Sequence, residues 1–87
     1  MKIKVEKPTA GVAEAMRRCP TWSKEASVFD WQYEEAETCY LLAGDVRVVT
    51  EGGEAVEFGD GDLVTFPAGL KCTWEVRSPV HKHYRFG

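Results

Sequence analysis

Long apolar runs are missing from this 87-residue chain. No stretch approaches the roughly 18 apolar residues that a helix needs to cross a bilayer, which excludes a helical membrane protein. Met1-Lys2-Ile3-Lys4-Val5-Glu6 alternates charge where a secretory leader would place an apolar block, and a cytoplasmic location is expected. Cysteine is scarce: Cys19, Cys39 and Cys72 are an odd number with no CxxC pair, so neither a disulfide framework nor a zinc knuckle is indicated, and reduced thiols are expected. Concentrated positive charge is also lacking. Residues 25–62 hold 11 of the 14 acids and Arg47 alone as a base, while Lys2, Lys4, Lys7, Arg17, Arg18 and Lys24 are dispersed; no nucleic-acid partner is expected. With no repeat, linker or low-complexity tract, a single domain over residues 1–87 is predicted, burying roughly 60–65 % of the unfolded surface at this size.

What the chain does have is apolar and aromatic content: 44 % hydrophobic residues, three Trp, three Tyr and four Phe. "KIKVE" alternates with period two and predicts an edge strand. "PTAGVAEAMRRC" sets Val12, Ala15, Met16 and Cys19 at helical spacing with Thr9 as N-cap, predicting a short helix that ends at Cys19-Pro20. Beyond it, "ASVFDWQY", "TCYLLAG", "DVRVVT", "EAVEF", "DLVTFP", "KCTWEV" and "VHKHYRF" are short runs rich in β-branched and aromatic residues. Ala43-Gly44-Asp45, Glu51-Gly52-Gly53-Glu54, Gly59-Asp60-Gly61-Asp62, Pro67-Ala68-Gly69 and Ser78-Pro79 separate them as turn signals. The expected class is all-β, an antiparallel sandwich or barrel with a short N-terminal helix.

Two spacings carry more information. Glu37 is followed after six residues by Gly44, and Gly61 after five by Pro67, then Gly69 and Cys72. Together they resemble the two signature blocks of the cupin superfamily, G-x5-H-x-H-x(3,4)-E-x6-G and G-x5-P-x-G-x2-H-x3-N. Gly69 suits positive φ and Pro67 presets a turn. Trp31 and Tyr33 stand where the superfamily carries two histidines, Glu37 matches its glutamate, Cys72 replaces the later histidine, and Val76 replaces the asparagine. Across roughly residues 20 to 86 the tract is similar to the small single-domain cupins grouped with the cupin domain of (S)-ureidoglycine aminohydrolase. The resemblance implies a double-stranded β-helix, or jelly-roll, barrel and a homodimer; the namesake enzyme is a two-cupin manganese protein, and this chain has one cupin.

In such a barrel alternate residues face inward. If Trp31 and Tyr33 occupy ligand positions, Phe29 is inward too, together with Glu37, Cys39 and Leu41, and with Cys72, Trp74 and Val76. The lining is then aromatic with one carboxylate and two thiols, the make-up of a small-molecule site, although Trp31, Tyr33 and Trp74 also suit plain core filling. An inward Glu37 requires a partner: the Tyr33 hydroxyl, a backbone N–H or a metal. It is the candidate catalytic residue, as a general acid or base. Cys72 is either an inert buried thiol or, with Glu37, a ligand to a divalent metal, for which the lining offers few further donors beyond Cys39 and Tyr33. Tyr84 and Phe86 are expected inward and His81 and His83 outward; the opposite register would offer His83 as a ligand.

Three functions follow. The first is a metal-free barrel binding a small organic ligand through Trp31, Tyr33, Glu37, Cys39, Cys72 and Trp74. The second is a metal-dependent enzyme of ureidoglycine aminohydrolase type using Glu37 and Cys72. The third is a dimeric scaffold whose face carries Tyr40, Leu42, Thr73 and Arg77.

Overall fold

A computed structural model describes residues 2–87. In chain order it contains β1 (Lys4–Glu6), α1 (Ala10–Met16), β2 (Thr21–Lys24), β3 (Ser27–Gln32), β4 (Glu37–Thr50), β5 (Ala55–Gly59), β6 (Leu63–Phe66) and β7 (Lys71–Phe86). Thr9 caps α1 as predicted, its hydroxyl accepting from the Val12 N–H at 3.2 Å. The helix stops at Met16, short of Pro20, and buries Ala13 and Met16; Ala15, expected on the packed face, is exposed. Tightening of the last turn, where the Arg18 and Cys19 N–H groups bond to the Ala15 and Met16 carbonyls, ends the helix early. No helix among the described residues is long and apolar enough to cross a membrane.

All pairings are antiparallel, in the order β1-β6-β4-β7-β2, with β3 also on β7 and β5 also on β4. Two of the predicted turns are not turns. Ala43-Gly44-Asp45 lies inside β4, and Ser78-Pro79 inside β7, so four expected short strands merge into two of 14 and 16 residues. These two pair along their length, from Glu37↔Phe86 to Thr50↔Cys72, with register shifts between Leu41 and Val46. At these bulges both strands bend. One half of β4 pairs with β6 and the other with β5, while β7 pairs first with β3 and then with β2, so the sheet wraps around its own core as a jelly-roll barrel.

Gly44 makes the bend possible: its φ is +133°, and a Cβ there would lie 3.0 Å from the Val80 Cα. Pro79, which has no N–H for a ladder, falls in the register gap between the Asp45↔Ser78 and Ala43↔His81 pairs. The predicted positive φ of Gly69 is observed at +83°, and its turn fixes the residue after β3. The Gly69 N–H donates to the Tyr33 carbonyl at 2.6 Å and the Tyr33 N–H donates to the Leu70 carbonyl at 2.8 Å. One core cluster results, holding Leu41, Val46, Val48, Phe58, Val64, Phe66, Trp74, Val76 and Val80.

Gly44→Ala is expected to lower folding stability by about 1–3 kcal/mol, since the substitution combines backbone strain with a clash at Val80. Gly11→Ala, in a helix with open space around it, is expected to be neutral or stabilising by up to about 1 kcal/mol. Urea denaturation of both variants beside the wild type checks the contrast.

Candidate functional site

One end of the barrel encloses a cavity of about 210 Å³ lined by Trp22, Phe29, Trp31, Tyr33, Glu37, Trp74, Lys82, Tyr84 and Phe86. Trp74 is its buried centre. Phe29 stacks on Trp74 with centroids 5.9 Å apart, while Trp22 meets the same ring edge-on at 6.3 Å. Tyr33 lies flat on Phe66 at 4.6 Å and accepts a hydrogen bond from the Trp74 indole N–H at 3.2 Å. Trp31 and Phe86, half-exposed at 50 % and 56 %, form the rim.

The polar floor is a three-residue cluster joining β4 and β7. Lys82 Nζ donates to Glu37 Oε2 at 2.8 Å and to Cys39 Sγ at 3.1 Å, and the Cys39 thiol donates to the same Glu37 oxygen at 2.8 Å. Both charged side chains are almost wholly buried, at 7 % and 6 % exposure. Removing two ions from water costs several kcal/mol each unless geometry and further contacts compensate. Here the ammonium also sits 5.0 Å from the Trp22 ring centroid and 4.9 Å from that of Trp74, where the π-faces supply additional attraction.

Burial governs the neighbouring acids. The Cys39 thiol is pushed up to about 12, first by loss of water; the Lys82 ammonium, which favours the thiolate, only partly offsets this. Cys72 is pushed up to about 11, again chiefly by burial. Tyr33 is held far above the ordinary phenol value by burial and by nearby Cys39 and Glu37, so it stays a neutral hydroxyl.

Of the expected inward residues, Trp31, Tyr33, Glu37 and Trp74 meet in this cavity, and Cys39 lies under its floor, bonded to Glu37. Cys72 does not line this cavity: it is buried behind Tyr33 and Trp74, on the side of a groove lined by Asp30, Trp31, Thr50 and Lys71. Its register on β7, opposite Trp31 and Thr50, sets it on the far side of the register shifts that lie between Val76 and Lys82. Neither expected partner of Glu37 is used; Lys82 and Cys39 take the place of the Tyr33 hydroxyl and the backbone. His83 is turned away, its Nδ1 donating to the Cys19 carbonyl at 2.9 Å, and His81 is exposed.

Lys82 and Trp22 line the cavity, and the pattern left both unassigned. Lys82 alternates with Tyr84 and Phe86, so the reading that turned those two inward placed Lys82 inward as well. The signal was present but was masked by the residue's charge.

The superfamily's metal chemistry does not fit this floor. An ammonium already neutralises the one carboxylate, the adjacent thiol stays protonated, and Cys72 is in a different groove. Among the described residues no three His, Cys, Asp or Glu side chains converge on a point. Glu37 and Cys72, expected as a pair of metal ligands, line different cavities, and the cation beside Glu37 in this structure is Lys82.

A jelly-roll barrel is the architecture that cupins share with several other protein classes. The family model described as EutQ-like cupin domain matches residues 12–84, and the chain belongs to that family. A crystal structure of a DUF861-family protein from Thermotoga maritima superposes with a TM-score of 0.95 at 48 % identity, covering 99 % of this chain and 100 % of that one. A DUF1255 protein of unknown function from Acidithiobacillus ferrooxidans gives a TM-score of 0.69 at 26 % identity over 72 % of this chain and 60 % of its own. The putative ethanolamine utilization protein Q of Salmonella typhimurium shares the fold, with a TM-score of 0.69 at 23 % identity; this chain matches 53 % of that protein's length. No curated protein matches the chain significantly.

Lys82→Met is expected to cost about 3–5 kcal/mol by leaving Glu37 buried without its counter-charge, whereas Lys82→Met with Glu37→Leu is expected to cost less than the sum of the single changes. Denaturation of the four proteins in a double-mutant cycle checks this; additive losses would contradict the coupling.

A pH dependence follows from the thiols. An unfolded chain releases their protons near the ordinary value of 9.0, while the folded protein holds them to about 12 and 11. Between these limits the unfolded state binds fewer protons, so stability falls as pH rises. Below about pH 8 the two groups contribute no slope. Denaturation midpoints from pH 7 to 11 are expected to decline from pH 9 upward, and more gently in a Cys39→Ala, Cys72→Ala variant.

Proposed function

We propose that this cupin binds a small organic molecule, about one ring in size, in the aromatic cavity above the Lys82–Glu37 pair, without a metal. The observation that carries this reading is the cavity itself: 210 Å³ of space with seven aromatic side chains among its nine lining residues and both charges at the floor. Apolar walls with a few fixed polar groups are the general make-up of a small-molecule site. A cavity of about 150 Å³ accommodates benzene, which sets the ligand's scale.

Within this reading Trp31 and Phe86 at the rim flank the ligand, Trp22 and Phe29 pack against it over the buried Trp74, and Glu37 orients it. Glu37 is also the group placed to give or take a proton if the bound molecule reacts. The alternative, a metal-dependent hydrolase of ureidoglycine aminohydrolase type, requires Glu37 and Cys72 on one ion, and the engagement of Glu37 by Lys82 weighs against it.

Titration with one-ring compounds is expected to change tryptophan fluorescence and to raise the melting temperature by several degrees at about ten times the dissociation constant, equally with and without EDTA. No response in either signal would refute the binding reading, and a response abolished by EDTA would favour the metal-dependent alternative.

A further inference from the structure

Two residues that line the cavity keep an unused hydrogen-bonding capacity, and the two capacities are of opposite kind. Glu37 accepts from Lys82 and from Cys39 with Oε2 in both cases; Oε1 accepts from no group among the described residues. Every fully buried side-chain nitrogen or oxygen among these residues has a partner, so Oε1 is open to the cavity that Glu37 lines. Tyr33 presents the complement. Its hydroxyl oxygen accepts from Trp74, yet its hydrogen is donated to no acceptor among the described residues, although the side chain is 98 % buried, with 2 % exposure. A buried phenol that stays protonated and lacks an acceptor is a donor awaiting one, since leaving it unmade costs free energy.

We infer that the ligand is an uncharged, flat heterocycle bearing a ring amide, whose carbonyl oxygen accepts from the Tyr33 hydroxyl and whose N–H donates to Glu37 Oε1. The inference rests on the binding reading above and narrows it to a chemical class. Flatness follows from the walls: seven of the nine lining residues are aromatic, and a planar ring can meet their faces and edges without losing torsional freedom. Absence of charge follows from the floor. The single ammonium is already matched by the single carboxylate, so an added anion would face Glu37, and an added cation Lys82, with no free counter-charge in an apolar cavity.

The test uses four one-ring probes on the intact protein: 2-pyridone, N-methyl-2-pyridone, toluene and benzoate. Affinities are measured by tryptophan fluorescence, and the Trp74 indole N–H resonance is followed by NMR because that group donates to the Tyr33 oxygen. 2-Pyridone is expected to bind best and to shift the Trp74 signal. Methylation of its nitrogen is expected to weaken binding by about 3–10-fold, by removing the donor to Glu37. Tyr33→Phe is expected to weaken both pyridones by a similar factor while leaving toluene unchanged. The N-methyl comparison is made on wild-type protein, so it decides the matter even if Tyr33→Phe fails to fold. Toluene binding as tightly as 2-pyridone, or benzoate binding best, would overturn the ring-amide inference while leaving the cavity as a binding site. Failure of all four probes would overturn the binding reading along with it.

Discussion

The Lys82–Glu37 ion pair is the interaction around which this barrel is arranged. It joins the two long strands, β4 and β7, at the cavity floor, and a pair of charges so deeply buried is tolerable only where everything near it is favourable. The Cys39 thiol donates to the carboxylate, and the Trp22 and Trp74 faces lie against the ammonium. The position of the pair therefore dictates that of the aromatic walls. The walls in turn exclude water, which strengthens the pair.

Bending of the long strands is the second constraint. Without the irregular register between Leu41 and Val46, β4 and β7 would run flat, and β3 and β2 could not both add to β7 on successive halves. The bend is what brings Trp22 from one strand and Phe29 and Trp31 from another to the same opening. Tyr33 reaches the cavity from beyond the end of β3, held by its two backbone bonds to Gly69 and Leu70. Rigid scaffold and short loop thus share the placement of the site.

The chain belongs to the EutQ-like cupin family and is 48 % identical to a Thermotoga maritima relative along its whole length. Aromatic rings stand at Trp31 and Tyr33, and a lysine ammonium satisfies Glu37. A positive charge beside the carboxylate is retained, but it is covalently part of the protein and brings no open coordination position. What the structure shows at this floor is an ion pair, a thiol hydrogen bond and aromatic rings against the ammonium.

The sequence alone determined the β class, the cupin spacing of Glu37, Gly44, Gly61, Pro67 and Gly69, the Thr9 cap and the inward parity of Phe29, Tyr33, Glu37, Cys39 and Trp74. Period-two alternation and turn chemistry are local properties, readable from neighbours along the chain. What joins with what was not readable. Ala43-Gly44-Asp45 and Ser78-Pro79 look like hairpin turns in isolation, and only pairing between β4 and β7 makes them bends inside long strands. Glu37 and Lys82 are 45 residues apart, so their meeting is a property of register. That register also carried Cys72 into a separate groove. The fold decided which group meets the buried carboxylate, because that depended on which distant side chain the barrel brought within 3 Å.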